Sequence, residues 1–206
     1  MVQLQEESDQ EMKFQVICCD PPWSFNDKLK MSNVKRGSES NYSVLSIEDL
    51  FEIPLQEIVD DNAFCCIWVP NTLLQSGLDL MRKWGFEHKG IYGWVKKSSK
   101  NGKLHFGMGH TFRGTFEIAL YGRRGKIEVH NKSQRNIEID ENFDFDDPLK
   151  HSQKSEKLQD SLDLMFPEVK KIELFARRKR SGWECVGLEC NNEDIFDSVE
   201  RLKRLE

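Results

Sequence analysis

No apolar run in the sequence approaches the roughly 20 residues of a membrane-spanning helix, so no membrane span is expected. Residues 1–13 form a polar, acidic tail without the apolar segment of a secretion signal, which points to a cytoplasmic setting. Six cysteines occur, but no CxxC pair and no nearby His pair, so a metal site is not expected and the thiols read as buried and reduced. Positive charge is not in excess, since the formal net charge is −5. Nucleic-acid binding therefore has to come from how charge is distributed, not from its sum. A glycine-rich turn, an internal repeat and a break marking a second domain are all missing. What remains is 206 residues with 38% apolar content, enough for a single domain, 1–206, around one core.

Phe14–Cys19 is apolar, rich in β-formers and without alternation, as expected of a strand buried on both faces. Ala63–Val69 reads the same way, and Ile91–Val95, Thr115–Tyr121, Lys170–Phe175 and Trp183–Leu188 as further strands. Helices are predicted over Ile47–Ile58, capped by Ser46 and interrupted near Pro54, and from Asn71 or Thr72 to Gly85. Two more are expected over Glu156–Met165 and at the C-terminus, where Ile195, Phe196, Val199, Leu202 and Leu205 share a face. Strands alternating with helices imply an α/β fold with a doubly wound, mostly parallel sheet.

Asp20-Pro21-Pro22-Trp23 follows the first strand directly. In an open α/β sheet ligands bind beyond the carboxyl ends of strands. The exocyclic amine of adenine is a poor nucleophile and needs acceptors aimed at its N–H bonds. Asp20 offers a carboxylate and Pro21 a carbonyl, while the prolines donate nothing in competition. Trp23 offers a face for a base. The alternative is a plain strand end with Trp23 folded into the core.

Residues 24–44 are polar, carry Lys35 and Arg36, and read as a loop beside this clamp or as a solvated linker. Residues 98–115 form a second, Gly-rich loop. Between Lys96 and Lys126 there are eight Lys or Arg and a single acid, Glu117. With Phe106 and Phe112, this stretch suits a groove that tracks phosphates, or else an ordinary charged surface. Residues 136–150 reverse the sign and read as an acidic loop.

Glu173 lies near the end of one strand and Glu189 closes the next, sixteen residues later. Acids at such ends accept from ribose hydroxyls. Because Ala176-Arg177-Arg178-Lys179-Arg180 replaces the glycine-rich turn, a nucleoside without phosphates, such as S-adenosylmethionine, fits better than a dinucleotide. Its amino-acid end needs a carboxylate and a cation, for which Asp20 and Lys154 are candidates. The alternative for Glu173 is an acid neutralised by neighbouring Lys or Arg.

Together these segments resemble the N6-adenine methyltransferase family that includes the catalytic subunit of the messenger-RNA adenosine methyltransferase and its phage and bacterial DNA-modifying relatives. The likeness runs through Asp20-Pro21-Pro22-Trp23, Tyr42 to Leu50, Ile67-Trp68-Val69-Pro70-Asn71, Trp84-Gly85-Phe86 and Trp94-Val95-Lys96. It continues in Gly107-Met108-Gly109-His110 with Arg113 and Glu117, His151-Ser152-Gln153-Lys154, Glu173-Leu174-Phe175-Ala176-Arg177 and Trp183. Lys179 stands where several relatives hold a histidine, and Leu188 where a polar ribose contact is usual.

The resemblance implies a Rossmann-like methyltransferase with the catalytic segment before the cofactor segment. Asp20, Pro21, Pro22 and Trp23 would form the catalytic clamp, with Trp23 stacking on or walling the base. Asp20 would also meet the ammonium of S-adenosylmethionine and Lys154 its carboxylate. Phe175 would lie near its adenine and Arg177 near its ribose, with Glu173 and Glu189 completing the cofactor site. Lys35, Arg36, Tyr42, Lys96, Lys97, His110 and Arg113 are the candidate strand contacts. The expected reaction is methyl transfer to adenine N6 in DNA, in a bacterial or phage-infected host, because the chain is little more than a catalytic domain. The same chemistry on RNA, a non-catalytic partner subunit, and a homodimer stay open.

Overall fold

A computed structural model describes residues 13–24, 45–107, 109, 111–145 and 153–204. β1 (Phe14–Cys19) is buried on both faces, with Ile17 and Cys19 in one core layer and Val16 and Cys18 in the other. β2 (Val59–Val69) pairs with it in parallel, setting Cys18 opposite Cys66, and all six cysteines are free thiols. α1 (Ile47–Glu52) lies between them. It starts at a capping box in which the Ser46 hydroxyl accepts from Asp49 N–H and the Asp49 carboxylate accepts from Ser46 N–H.

After β2 come α2 (Leu74–Lys83), β3 (Glu87–Ser98), β4 (Phe116–Arg124) and β5 (Ile137–Phe143). α3 (Lys157–Met165), β6 (Lys171–Leu174), β7 (Glu184–Val186), α4 (Leu188–Asn191) and α5 (Ile195–Arg204) complete the chain. The seven strands form one sheet in the order β5-β3-β4-β2-β1-β6-β7. Every pairing is parallel except the two made by β4. Leu50, Leu80, Met81 and Val199 bring α1, α2 and α5 onto one face, and Leu158 and Leu162 bring α3 onto the other. The doubly wound, mostly parallel α/β sheet expected from the alternation of elements is the fold observed.

Several boundaries differ from the expectation. The first helix ends at Glu52, and beyond Pro54 only a 3₁₀ turn, Leu55–Glu57, follows. A 3₁₀ turn over Asn71–Leu73 precedes α2, with no side-chain cap from Asn71 or Thr72. The largest correction concerns residues 136–150, read as an acidic loop. They contain β5, paired in parallel with β3 at the sheet edge. Its acids alternate with Ile137 and Ile139, and the inward one, Glu138, accepts hydrogen bonds from Tyr92 and Ser155. Glu189, read as closing a strand, belongs instead to α4.

The topology brings one end of every strand to one edge of the sheet. All except β4 finish there, and because β4 runs the other way, its first residues Phe116 and Glu117 arrive there as well. β1 sits between β2 and β6, where the order of strands reverses, and a crevice opens beyond its carboxyl end.

Candidate active site

At the end of β1 the backbone makes a tight turn in which Trp23 N–H donates to the Pro21 carbonyl at 2.8 Å. Leu45 N–H donates to the Pro22 carbonyl at 3.0 Å and Ser24 N–H to the Leu45 carbonyl at 3.3 Å, fixing the turn against the start of α1. The Trp23 indole is only 5% exposed and its Nε1 donates to the Trp68 carbonyl at 2.9 Å. Most of the ring packs into the core, as in the plain alternative for this residue, while Trp23 still borders the cavity.

The turn borders a cavity of about 360 Å³, within the roughly 300–1,000 Å³ common for small-molecule sites. Asp20, Pro21, Pro22 and Trp23 line one side, Val69, Pro70 and Asn71 the end of β2, and Phe116 and Glu117 the start of β4. Lys154, Phe175, Ala176 and Arg177 contribute from the other side, with Gly187, Leu188 and Glu189 at the end of β7 and Glu193, Asp194 and Ile195 before and at the start of α5. Asp20, Lys154, Phe175, Arg177 and Glu189, named from the sequence, therefore share one cavity.

Lys154 is the electrostatic centre of this cavity. Its Nζ lies 3.0 Å from Asp20 Oδ2 and 3.3 Å from Glu117 Oε2. Glu117 is in turn ion-paired through its other oxygen with Lys96. Four side chains from β1, α3's approach, β4 and β3 thus alternate in sign. Burial pushes the Glu117 carboxyl up, but Lys154 and Lys96 outweigh it and hold it below its ordinary value. Burial pulls the Lys154 ammonium down, and Asp20 and Glu117 more than reverse this.

Glu173 stands apart, in a smaller chamber of about 50 Å³ behind Asp20. Gln159 Nε2 donates to its Oε1 at 3.1 Å. Burial raises the Glu173 carboxyl, against the pull of Arg178 and Arg180. Asp20, Lys154, Phe175 and Arg177 line both spaces, so the chamber adjoins the cavity through them. Trp68 Nε1 and Gln159 Oε1, on residues lining the chamber, are buried without a hydrogen-bond partner among the described residues. Such orphaned atoms call for a polar guest.

Two backbone features shape the far wall. Phe175 has φ of 60°, a left-handed conformation unusual for a bulky residue and the kind of strain that gathers at ligand sites. Gly187 approaches it so closely that a Cβ would lie 2.5 Å from the Ala176 carbonyl oxygen. Arg177 Nε pairs with Glu189 at 3.3 Å, leaving acceptor capacity on an exposed-side carboxylate.

The candidate strand contacts divide. Lys35, Arg36, Tyr42 and His110 lie outside the described residues. Lys97 is partly exposed and paired with Glu141 at 3.1 Å, and Arg113 is exposed with its guanidinium 4.8 Å from the Phe106 ring centroid. Lys96 is corrected: it is 5% exposed, paired with Glu117, with Nζ 4.0 Å from the centre of the Trp94 ring and 4.7 Å from that of Phe143. A cation enclosed in this way belongs to the cavity's charge network and not to a phosphate-facing surface. Glu117 itself, with Phe116, Glu193 and Asp194, was not among the site residues expected. Its signal was its isolation as the one acid among eight cations in the stretch 96–126.

A family model described as MT-A70 matches residues 14–189. The type II methyltransferase M.MunI of a Mycoplasma species is 28% identical over 202 residues, covering 89% of this chain and 80% of that protein. The human N(6)-adenosine-methyltransferase catalytic subunit METTL3 is 23% identical over 197 residues, 93% of this chain but 31% of its own length. Human N(6)-adenine-specific methyltransferase METTL4 is 27% identical over 198 residues, 91% of this chain and 40% of its own. The chain thus spans less than half of either human relative.

Proposed function

The chain belongs to the MT-A70 family, and from that premise we propose that it methylates the N6 amine of adenine in DNA, with S-adenosylmethionine as donor. The observation that carries this reading is the Asp20–Lys154 pair at the mouth of the crevice beyond β1. A carboxylate and an ammonium 3.0 Å apart are the complement of a zwitterionic amino-acid end, which meets each with its opposite charge. The orphaned Trp68 Nε1 and Gln159 Oε1, with Glu173, make the adjoining chamber a fit for that polar end. Glu189, steadied by Arg177, supplies acceptors for ribose hydroxyls, and Phe175 an aromatic face. Glu189 and Glu193 are ion-paired with Arg177 and Arg201, and Asp194 adds a further carboxylate to that wall.

When bound, S-adenosylmethionine supplies a methyl group made electrophilic by the sulfonium. The chain's own residues do the rest. A carboxylate has about four lone-pair sites, so Asp20, with Oδ2 held by Lys154, retains acceptors for an amine N–H. The Pro21 carbonyl accepts from Trp23 N–H and keeps a second lone pair for the other N–H. The carboxylate is held by the Lys154 ion pair and the carbonyl by the hydrogen bond of the turn before substrate arrives, so the amine is oriented without further ordering, and orientation is the main source of rate in a one-step transfer. Transfer would break the S–CH3 bond of the donor as the N6–CH3 bond forms, and the Asp20 carboxylate would accept the amine proton that is released. Trp23 and Trp68 wall the site and limit water.

DNA is favoured over RNA by the breadth of the match to the type II methyltransferase, 80% of whose length is covered. A base in a duplex must be extruded at a cost of a few kcal/mol. The test is transfer of labelled methyl groups to matched DNA and RNA pools, with product sequencing. We expect N6-methyladenine in DNA, abolished by Asp20→Ala. Label in RNA alone would overturn the choice of polymer, and no label in either would overturn the activity.

A further inference from the structure

Between β3 and β4 the chain builds a folded-back projection at the rim of the cavity. Ser98 N–H donates to the Lys103 carbonyl at 2.9 Å and His105 N–H to the Lys96 carbonyl at 3.0 Å, turning the chain back along β3. Further out, Gly107 N–H donates to the Gly114 carbonyl at 2.9 Å and closes a loop. A Cβ on Gly109 would sit 1.7 Å from the Phe112 carbonyl oxygen and one on Gly107 2.7 Å from that of Gly114, so the compact shape requires glycine at both places. The loop ends two residues before Phe116, which lines the cavity.

This compact frame holds aromatic rings out in solvent. Phe106 is 74% exposed and Phe112 87%. Leaving a phenylalanine exposed forgoes about 1.5–3 kcal/mol of burial, so two rings displayed on one turn call for an occupant. The neighbours decide which kind. Arg113 lies over the Phe106 ring, and Lys97, Lys100 and Lys103 belong to the same stretch. Protein interfaces deplete lysine at their centres, whereas aromatic faces interleaved with basic side chains are what unpaired nucleobases and their phosphates require.

We propose that Phe106 and Phe112 form a stacking platform for the unpaired nucleobases beside the target adenine, with Arg113 meeting the adjoining phosphate. The inference rests on the methyltransferase reading and adds the state of its substrate: the strand is bound with bases exposed, either as a single strand or as the gap left by an extruded base. Stacking against aromatic side chains tolerates any base, so the platform grips the strand without setting its sequence.

The test uses the full chain and a single-stranded DNA oligonucleotide carrying 2-aminopurine next to the target adenine. With wild type, stacking quenches the fluorescence on binding. Phe106→Ala and Phe112→Ala each lose quenching and weaken oligonucleotide affinity by roughly 5- to 150-fold, with the dependence on salt unchanged because no charge is removed. Phe112→Trp restores both. Circular dichroism melting and cofactor calorimetry check that the variants are folded, as expected for exposed positions. If wild type binds and methylates while the alanine variants quench and bind equally well, the platform is wrong and the activity stands. If the variants instead convert a dimer to a monomer on sedimentation with quenching intact, the rings are a self-association surface. If wild type binds the cofactor but neither DNA nor RNA, the polymer substrate and the platform fall together.

Discussion

Lys154 holds its ammonium 3.0 Å from Asp20 and thereby ties the last segment before α3 to the turn that ends β1. The same ammonium is 3.3 Å from Glu117, which also faces Lys96. The site's acceptor is therefore aimed by a network that crosses the sheet, and each member has a measurable consequence.

Replacing Asp20 by asparagine keeps the shape and removes the charge. Losing one preorganised electrostatic partner typically lowers a rate by about 10²–10³-fold, and methyl transfer in single-turnover assays is expected to fall by that much. The melting temperature should barely move, because Asp20 lies at the crevice and not in the core.

Gly187→Ala tests the far wall. Its Cβ would meet the Ala176 carbonyl oxygen at 2.5 Å and amide nitrogen at 2.8 Å, backbone atoms that cannot turn aside. Overpacking of this kind destabilises by about 1–3 kcal/mol, readable as a lower urea midpoint, and cofactor affinity measured by calorimetry should be lost with it. Gly93→Ala, whose nearest neighbour would be Ile137 at 4.0 Å, is the control expected to bind cofactor normally.

Arg113 and Lys96 should separate in salt titrations of DNA binding. Arg113→Ala removes an exposed cation and is expected to reduce the slope of log affinity against log salt by about one. Lys96→Met should leave that slope unchanged, because Lys96 is enclosed by Glu117, Trp94 and Phe143, and should lower turnover instead by releasing Glu117.

The pH dependence of stability follows from the same pairs. The Glu117 carboxyl is held below its ordinary value in the folded protein, so its contribution is present above the usual carboxylate range and disappears as pH falls through the lowered value. The difference in urea stability between wild type and Glu117→Gln should be flat near neutrality and vanish in acid. Lys154 is shifted the opposite way: its contribution is full below the ordinary lysine value of 10.5 and lost as pH rises beyond it. The gap between wild type and Lys154→Met should accordingly persist to about pH 9 and close only in strong alkali.

Long apolar runs were legible at once. β1 and β2 are covered on both faces, so their residues form continuous hydrophobic stretches that no partner needs to explain. β5 was not legible, because an edge strand exposes Ile137 and Ile139 and hides Glu138, the reverse of the usual signal. Glu138 can sit inside because Tyr92 and Ser155, distant in sequence, donate to it and the Lys157 ammonium lies 3.7 Å away.

The sequence by itself determined the chemistry at the end of β1. Asp20-Pro21-Pro22 brings an acidic acceptor, a carbonyl acceptor and two positions without N–H into three bonded neighbours, and covalent order guarantees that they stay together. Tertiary structure alone decided what surrounds them. The reversed direction of β4 carries Glu117 to the crevice, and the enclosure of Lys96 turns an apparent surface cation into its counter-charge. Whether a charge faces water or another charge depends on strands far apart in the chain, and no local pattern records it.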